Sequence, residues 1–389
     1  MHGMSSSPAS TSSGNRTLSK AKAAKQDEFY TQYVDIQKEV EAYLEYDADT
    51  FRGKVVYCNC DDPFESNFFK YFAANFNKLG LKKLITTSYD GSPIAGGQLA
   101  LPEFTEGNGK REKPKAVAVE ITEVTDVTGD GATGIEDVKL FLEQNPHTRI
   151  PLAGGGDFRS PECIALLKQA DIVVTNPPFS LFRVYVAQLV EHGKTFLIIG
   201  NVHAITYKEI FPLIKANELW MGVTIHSGDR EFRVPDHYPL NAAGWRVDEK
   251  GLKYIRVKGV RWFTNLDHGR RHEMLELMTM ADNLRFNKKM KGKAEYERYH
   301  NYDALEVPYT DAIPSDYEGV MGVPITFLDK YNPDQFEIVG GSTDGYTAAA
   351  MGIKPLGPDF IGNVGRTKLG LASMKRAVYK RILIRHKRK

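Results

Sequence analysis

The chain has few cysteines and no long hydrophobic run. Three cysteines among 389 residues exclude the disulfide framework of a small secreted protein. Cys58 and Cys60 form a C-x-C pair, but no second cysteine or histidine pair lies at a spacing suited to zinc, so we expect free thiols and no metal site. No apolar run approaches the roughly 20 residues that cross a bilayer, and the N-terminus lacks the apolar core of a secretion signal. These absences predict a cytoplasmic protein that does not contact a membrane.

The chain also lacks a large excess of charge of either sign. Its 51 basic and 49 acidic residues give a formal net charge of +2, which excludes a histone-like polycation. The charge is nevertheless segregated: residues 251–300 carry a net charge of +6, and the last fifteen residues contain eight basic and no acidic side chains. Because basic groups neutralise phosphates, the C-terminal third is predicted to contact nucleic acid. The alternative is an ordinary solvated basic face.

Hydrophobic periodicity divides the chain into a regular and an irregular part. Residues 1–20 are rich in Ser, Thr and Gly and are predicted to be a disordered tail. Helical and strand patterns alternate from residue 21 to about 215, apart from an insertion at 91–150, which is typical of an α/β fold with a parallel sheet. Residues 216–389 mix short strand-like runs with basic stretches, and we expect a second, irregular α+β region there.

A strand that ends in two prolines carries the clearest chemical signal. The apolar run at 171–175 continues into Asn176, Pro177, Pro178 and Phe179. Two prolines stiffen the loop, and the carboxyl end of a parallel strand is where α/β sheets bind ligands. The Asn176 side-chain oxygen and the Pro177 carbonyl can accept both hydrogens of an exocyclic amine, and Phe179 can stack on its ring. The alternative is an ordinary Asn-Pro turn that closes a strand.

Part of the insertion follows the spacing of a calcium-binding loop. Asp126, Asp130 and Asp137 take the first, fifth and twelfth positions of an EF-hand pattern, with Gly131 at the sixth. Oxygen ligands at this spacing suit Ca²⁺ or Mg²⁺. The alternative is an Asp/Gly turn that caps the following helix. Because Asp137 replaces the usual Glu, we favour the turn and predict no bound metal.

Five segments together resemble a known enzyme family. They are YCNCDDP (57–63), GDFRSPECI (156–164), ADIVVTNPPFSLF (170–182), VRWFTNLDHGRRHE (260–273) and YNPDQFEIVG (331–340). In these segments the chain is similar to the EcoRI-type adenine-specific DNA methyltransferases, from about residue 25 to the C-terminus. The resemblance implies a Rossmann-like class I methyltransferase sheet at 21–215, followed by a target-recognition and DNA-binding region at 216–389.

The resemblance also implies S-adenosylmethionine as the cofactor. KQDEFYT (25–31) is similar to the N-terminal cofactor motif of the family, CNCDDPF (58–64) takes the place of its first glycine-rich motif, and GDF (156–158) is similar to the motif that holds the cofactor adenine. The cofactor-binding residues implied in this way are Tyr30, Thr31, Asn59, Asp61, Asp62, Asp157 and Phe158. Where the family has D-P-F-x-G-x-G, this chain has DPFESNF (62–68). The two aspartates at 61 and 62 have an alternative role, which is to cap the next helix.

The implied reaction is methyl transfer to adenine N6 in double-stranded DNA, with NPPF as the catalytic tetrapeptide and the target base flipped out of the duplex. Arg261, Arg270 and Arg271 are the expected DNA contacts. A separately encoded restriction endonuclease is an expected partner. Two alternatives remain: an RNA or protein N-methyltransferase with the same NPPF chemistry, and a catalytically silent DNA-binding protein on the same fold.

Overall fold

The computed structural model describes residues 31–59, 66–88, 116–129, 133–145, 148–226, 229–234, 240, 244–342, 351–362 and 369–387. The α-helices are α1 (Tyr33–Tyr46), α2 (Asn67–Ala74), α3 (Phe76–Leu79), α4 (Ile135–Gln144), α5 (Pro161–Gln169), α6 (Phe182–Glu191), α7 (Phe211–Lys215) and α8 (Met280–Phe286). Short 3-10 helices span Phe179–Leu181, Val202–Thr206, Gly269–His272, Thr310–Ala312 and Ile325–Lys330. The strands are β1 (Val55–Asn59), β2 (Lys83–Thr87), β3 (Val117–Ile121), β4 (Arg149–Pro151), β5 (Ile172–Thr175), β6 (Thr195–Asn201), β7 (Trp220–Met221), β8 (Asp229–Val234), β9 (Arg246–Val247), β10 (Lys253–Lys258), β11 (Val260–Thr264), β12 (Leu305–Glu306), β13 (Met321–Pro324), β14 (Phe336–Gly341), β15 (Gly370–Leu371), β16 (Arg376–Ala377) and β17 (Arg381–His386).

Eight strands form a mixed central sheet in the order β4-β3-β2-β1-β5-β6-β11-β7. The four inner strands β2, β1, β5 and β6 are parallel to one another. Antiparallel strands extend both edges: β3 and β4 lie beyond β2, and β11 and β7 lie beyond β6. The parallel sheet expected from the sequence is therefore present as the centre of a larger mixed sheet.

The direction in which the chain crosses the sheet reverses at β1. After β1 the chain adds β2 on one side, and it later returns to add β5 on the other side, where Tyr57 pairs with Val173. The carboxyl ends of β1 and β5 therefore lie side by side at a point where the strand order reverses. In open α/β sheets this is the crevice in which ligands bind.

Alternate residues of the parallel strands enter two apolar layers, one on each face of the sheet. Val55 and Tyr57 of β1 belong to one apolar cluster, whereas Val56 and Cys58 belong to the other. A strand buried on both faces is nearly all apolar; all five residues of β1 are buried, and its polar residue Asn59 comes last, at the carboxyl end. Helices α5, α6 and α7 contribute to the first layer, and α1, α2 and α4 contribute to the second. The result is a sheet covered by helices on both sides.

Two helices begin at capping residues that the sequence makes recognisable. The Ser66 hydroxyl accepts from Phe68 N at 3.1 Å at the start of α2, and the Ser160 hydroxyl accepts from Cys163 N at 3.2 Å at the start of α5. Pro161 takes the first position of α5, where its missing N–H is not needed. These caps fix where α2 and α5 begin.

The C-terminal part adds two further sheets of three or more strands. Strands β12-β13-β17-β14 form a four-stranded sheet, and β8-β10-β9 form a three-stranded antiparallel sheet. The four-stranded sheet packs on the first apolar layer, since Val323 and Ile382 belong to the same cluster as Phe196 and Ile198 of β6. The central sheet and the four-stranded sheet therefore share one core.

The central sheet continues past residue 215, where the sequence suggests a boundary. Strand β11 at 260–264 lies between β6 and β7, so residues from the second predicted region complete the sheet of the first. The division of the chain into two domains stays a prediction, and the predicted tail at 1–20 lies outside the described residues. Cys58 and Cys163 are buried free thiols, as expected. No helix among the described residues is long and apolar enough to span a bilayer.

Candidate active site

The loop after β5 holds the Asn-Pro-Pro-Phe motif at the carboxyl edge of the central sheet. Asn176 is 8% exposed, Pro177 and Pro178 are buried, and Phe179 is half-buried and packs against the second apolar layer. Leu181 N donates to the Pro178 carbonyl at 2.9 Å, which starts the 3-10 turn that leads into α6. The four motif residues are therefore held between a buried strand and a helix, in the crevice described above.

Polar side chains end the neighbouring parallel strands and bond to one another. The Thr87 hydroxyl of β2 donates to Asn59 Oδ1 of β1 at 3.1 Å, and the Tyr57 hydroxyl lies 3.0 Å from Thr87 Oγ1. The Thr175 hydroxyl of β5 donates to the Asn59 carbonyl. These contacts fix the ends of three strands relative to one another directly below the Asn176 loop. Asn59 was expected at the site, but Thr87 and Thr175 were missed, although a polar residue at the end of an apolar strand is a visible signal; Tyr57, in the middle of β1, gave no such signal.

The segment before α1 lies beside the start of α2. Thr31 is 4% exposed, and its carbonyl accepts from Asn67 Nδ2 at 2.7 Å. Its hydroxyl oxygen is buried and has no hydrogen-bond partner among the described residues. Since α2 is the next described element after β1 in the chain, this places Thr31 on the side of the sheet where β1 ends. Three other predicted cofactor residues, Tyr30, Asp61 and Asp62, lie outside the described residues.

Asp157 and Phe158 have different environments although they are neighbours. The Asp157 carboxylate is bound by Arg159, with Nη2–Oδ2 at 2.6 Å and Nε–Oδ1 at 2.9 Å, and this bond raises the pKa of the arginine. The Phe158 ring is buried edge-to-face against Tyr185 at 5.0 Å between centroids. Its carbonyl accepts from Gln188 of α6 at 3.0 Å. Phe158 is therefore a core residue in this conformation, and Asp157 is the more accessible of the two.

Arg261, one of the predicted DNA contacts, is buried. Its guanidinium forms an ion pair with Asp329 at 3.1 Å, and the two side chains are only 5% and 9% exposed. It also donates to the carbonyls of Val260 and His226. Burial raises the pKa of Asp329 to about 6, against the opposing effect of Arg261. A guanidinium with these internal partners joins β11 to the 3-10 turn that contains Asp329, and this corrects its expected role as a DNA contact.

Arg271 is also buried, whereas Arg270 is half-buried. Arg271 donates to Asn217 Oδ1 at 2.6 Å and lies 3.5 Å from the centre of the Trp220 ring. Its pKa is lowered by burial. Arg270 donates to the Val223 carbonyl at 2.9 Å. Both arginines therefore hold the segment that follows α7 and β7, and Arg271 in particular is not available to a phosphate.

The aspartates of the EF-hand pattern bond to backbone amides. Asp137 Oδ1 accepts from Val127 N and Thr128 N at 2.9 and 2.8 Å, and Oδ2 accepts from Gly134 N at 2.7 Å. These amides lower the pKa of Asp137. Amide hydrogens aimed at both carboxylate oxygens show that Asp137 caps the start of α4 and ties it to the backbone at Val127 and Thr128. Asp130 lies outside the described residues, among which no cluster of three or more His, Cys, Asp or Glu side chains could hold a metal.

Comparison with known proteins agrees with the sequence motifs. The model of the family described as "Adenine-specific methyltransferase EcoRI" matches residues 17–387. The Type II methyltransferase M.EcoRI of Escherichia coli is 46% identical over 327 residues, which cover 84% of this chain and 89% of that protein. The Type II methyltransferases M.MpnI of Mycoplasma pneumoniae and M.MgeORF184P of Mycoplasma genitalium are 36% and 35% identical, over 83% of this chain in both cases and 84% and 85% of their own lengths. No solved structure matches the chain significantly.

Proposed function

The chain belongs to the adenine-specific EcoRI methyltransferase family and is a DNA adenine methyltransferase of the restriction-modification type, and from this premise we propose how its residues carry out the reaction. The methyl group passes from S-adenosylmethionine to the N6 amino group of an adenine in double-stranded DNA. The observation that carries the proposal is the position of the NPPF loop, with Asn176 at the end of β5 where the strand order reverses. This resemblance to the family was predicted from the sequence, and the comparison confirms it.

Asn176 and Pro177 activate the amine. The lone pair of adenine N6 is conjugated with the ring, which makes the nitrogen a poor nucleophile. The Asn176 side-chain oxygen and the Pro177 carbonyl accept its two hydrogens, and the bonded amine then directs its lone pair toward the methyl donor. Pro178 keeps the loop rigid, and Phe179 stacks on the base. Preorganised acceptors of this kind need no rearrangement during the reaction, and this is how they lower the barrier.

The residues of the crevice fit a cofactor with an ammonium, a ribose and a purine. When bound, S-adenosylmethionine supplies a methyl group on a sulfonium centre that is activated for transfer. The buried hydroxyl of Thr31, which lacks a hydrogen-bond partner among the described residues, is the observation that favours a polar ligand here. The residues proposed to hold the cofactor are Tyr30, Thr31, Asn59, Asp61, Asp62 and Asp157, with Phe158 supporting Asp157 from the core.

We propose that the two parts of the chain divide catalysis and target recognition between them. Residues 21–215, completed by β7 and β11, form the Rossmann-like catalytic part, and most of residues 216–389 serve target recognition. A base inside a duplex is out of reach of Asn176, so the target adenine is flipped out of the helix. A separately encoded restriction endonuclease that shares the recognition sequence is the proposed partner, and the cytoplasm is the proposed location.

Replacement of Asn176 tests the catalytic assignment. We expect Asn176→Ala to lower the rate of methyl transfer by about 100-fold or more, since a preorganised polar group is removed from the reacting nitrogen. The measurement is incorporation of tritiated methyl groups into DNA. Binding of S-adenosylmethionine, followed by calorimetry, is expected to persist, because Asn176 is assigned to the base and not to the cofactor.

A matched control separates catalysis from folding. Asn145→Ala makes the same substitution at the end of α4, where the side chain donates to the Phe141 carbonyl at 2.9 Å, and activity should be retained. Near-normal methylation by Asn176→Ala would overturn the assignment. Tritium incorporated by the wild-type protein into RNA or protein, and not into DNA, would overturn the proposed substrate.

A further inference from the structure

The three-stranded sheet β8-β10-β9 leaves the central sheet next to the active site. It is inserted between β7 and β11, and the last residue of β10 is followed after one glycine by the first residue of β11. The Lys258 carbonyl accepts from Asn201 Nδ2 at 3.1 Å, and Asn201 ends β6, the neighbour of β5. The base of this small sheet is therefore one strand away from the strand that carries Asn176.

The two faces of the small sheet differ in chemistry because side chains alternate along a strand. On one face, Phe232, Val234 and Ile255 are buried in the second apolar layer. On the other face, β10 presents Tyr254, Arg256 and Lys258. We name this second face the outer face; it consists of Asp229, Glu231, Arg233, Arg246, Tyr254, Arg256 and Lys258, which the strand register places opposite one another.

Two cations of the outer face, Arg246 and Arg233, already have partners within the protein. Arg246 forms an ion pair with Glu231, with Nε–Oε2 at 2.8 Å, and its guanidinium lies 4.1 Å from the centre of the Tyr254 ring. The Arg246 side chain is still 49% exposed. Arg233 lies opposite Tyr254 on the other side. Tyr254 is thus flanked by an arginine from each neighbouring strand.

Arg256 and Lys258 differ from the other cations of this face. Both are exposed, and neither forms an ion pair with any residue that the structure describes. They lie two residues apart on β10, hence on the same side of the strand, and Lys258 is the one nearer to β6. Exposed cations spaced along a strand beside the catalytic edge are suited to a chain of phosphates.

We propose that the outer face of the three-stranded sheet binds the sugar-phosphate backbone of the substrate DNA beside the target base, with Arg256 and Lys258 as its main phosphate contacts. The inference rests on the proposed DNA methylation and goes beyond it by naming the surface. It replaces the contacts expected from Arg261 and Arg271, whose charges are used inside the protein. Four basic against two acidic side chains favour a polyanion as the partner.

The test is the salt dependence of DNA binding by Arg256→Ala, Lys258→Ala and the double variant. Binding to linear duplex DNA of mixed sequence is measured by fluorescence anisotropy over a series of salt concentrations. Loss of one phosphate contact lowers the slope of log K against log salt by about 0.9, so the double variant should lose about twice that. Each single variant should bind about two- to fivefold more weakly at moderate salt. The losses should be the same for every sequence, since backbone contacts do not read bases.

Arg52→Ala is the matched control. Arg52 is exposed and ion-paired with Asp49, but it precedes β1 and so lies at the opposite edge of the central sheet. We expect its salt slope to equal that of the wild-type protein. Calorimetry with S-adenosylmethionine and thermal unfolding should give wild-type values for all four variants, which shows that the site and the fold are intact.

The outcomes separate this inference from the proposed function. Three results would overturn the inference even though the wild-type protein methylates DNA. The double variant could keep the wild-type salt slope, Arg52→Ala could lose as much of the slope as the double variant, or the loss of affinity could be confined to one DNA sequence. Failure of the wild-type protein to methylate DNA would instead overturn the proposed function. A reduced slope in the double variant, with Arg52→Ala unchanged, supports the outer face as the surface that binds the DNA backbone.

Discussion

His268 shows how a buried titratable side chain can serve the fold at the edge of the central sheet opposite the NPPF loop, since it follows the end of β11 that lies beside the start of β6. It is 2% exposed, its Nε2 donates to the Met221 carbonyl at 3.0 Å, and it packs edge-to-face on Tyr43 with the ring centroids 5.4 Å apart. Burial is the main cause that lowers the pKa of His268 to about 4, and the nearby guanidiniums of Arg271 and Arg270 act in the same direction. The ring is therefore neutral in the folded protein near neutral pH.

This lowered pKa predicts a loss of stability in mild acid. Below pH 6.5 the unfolded chain binds a proton on His268 that the folded protein does not bind. The stability that depends on neutral His268 is therefore present above pH 6.5 and is lost as the pH falls toward 4. Between pH 7 and pH 5 the contribution amounts to about 2 kcal/mol. In the wild-type protein the free energy of unfolding should fall between pH 7 and pH 5. In His268→Gln this fall should be smaller by about 2 kcal/mol, as measured by urea denaturation at the two pH values. An identical fall in the variant and the wild-type protein would contradict the prediction.

At the scale of elements, α1 and the segment after β7 are joined by one carboxylate. Glu39 of α1 is fully buried and accepts from Val223 N at 2.7 Å and from Thr224 N at 2.8 Å. The Thr224 hydroxyl donates to the same carboxylate. Burial raises the pKa of Glu39. Since Thr31 precedes α1 and the three-stranded sheet follows Thr224, this carboxylate connects the proposed cofactor segment to the proposed DNA surface.

Glu39→Ala is expected to destabilise the protein. The variant leaves the backbone amides of Val223 and Thr224, which are half-buried, without their acceptor, and this costs about 2–4 kcal/mol in total. The measurement is the free energy of unfolding in urea. Glu41→Ala is the control on the same helix, because Glu41 is partly exposed and, within the part of the chain that the structure describes, its side chain accepts from Gln37 at 2.8 Å. If the two variants lost equal amounts of unfolding free energy, the proposed structural role of the Glu39 carboxylate would be contradicted.

The difference between local and long-range contacts explains what could and could not be predicted from the sequence. Local patterns gave the alternation of helices and strands before residue 215, the strand at 171–175 and the NPPF motif, because each depends on neighbouring residues; the caps at Ser66 and Ser160 were found only in the structure. Arg261 was misassigned because its partner Asp329 is 68 residues away. An arginine in a basic stretch and an arginine in a buried ion pair have the same local sequence, so only the tertiary contacts distinguish them.

At the scale of the whole molecule, the small net charge conceals a separation of roles. Charge of +2 over the chain coexists with a net charge of +6 within residues 251–300. Part of that basic excess is internal, since Arg261 and Arg271 are buried, and part is exposed on β10 of the small sheet. The sequence identified this segment as basic, but burial decides which of its cations reach the protein surface.

The shared core predicts that the chain unfolds as one unit. A fragment of residues 21–215 would lack β11, whose side chains Val260 and Trp262 are buried in the second layer, and the C-terminal sheet that covers Phe196 and Ile198 in the first. Exposing that much apolar surface removes the main term that stabilises a fold, so we expect the fragment to show no cooperative thermal transition. The full chain should give a single urea transition, coincident by circular dichroism and by tryptophan fluorescence. Two separate transitions, or a sharp one in the fragment, would mean that the predicted boundary at 215 divides independently stable domains.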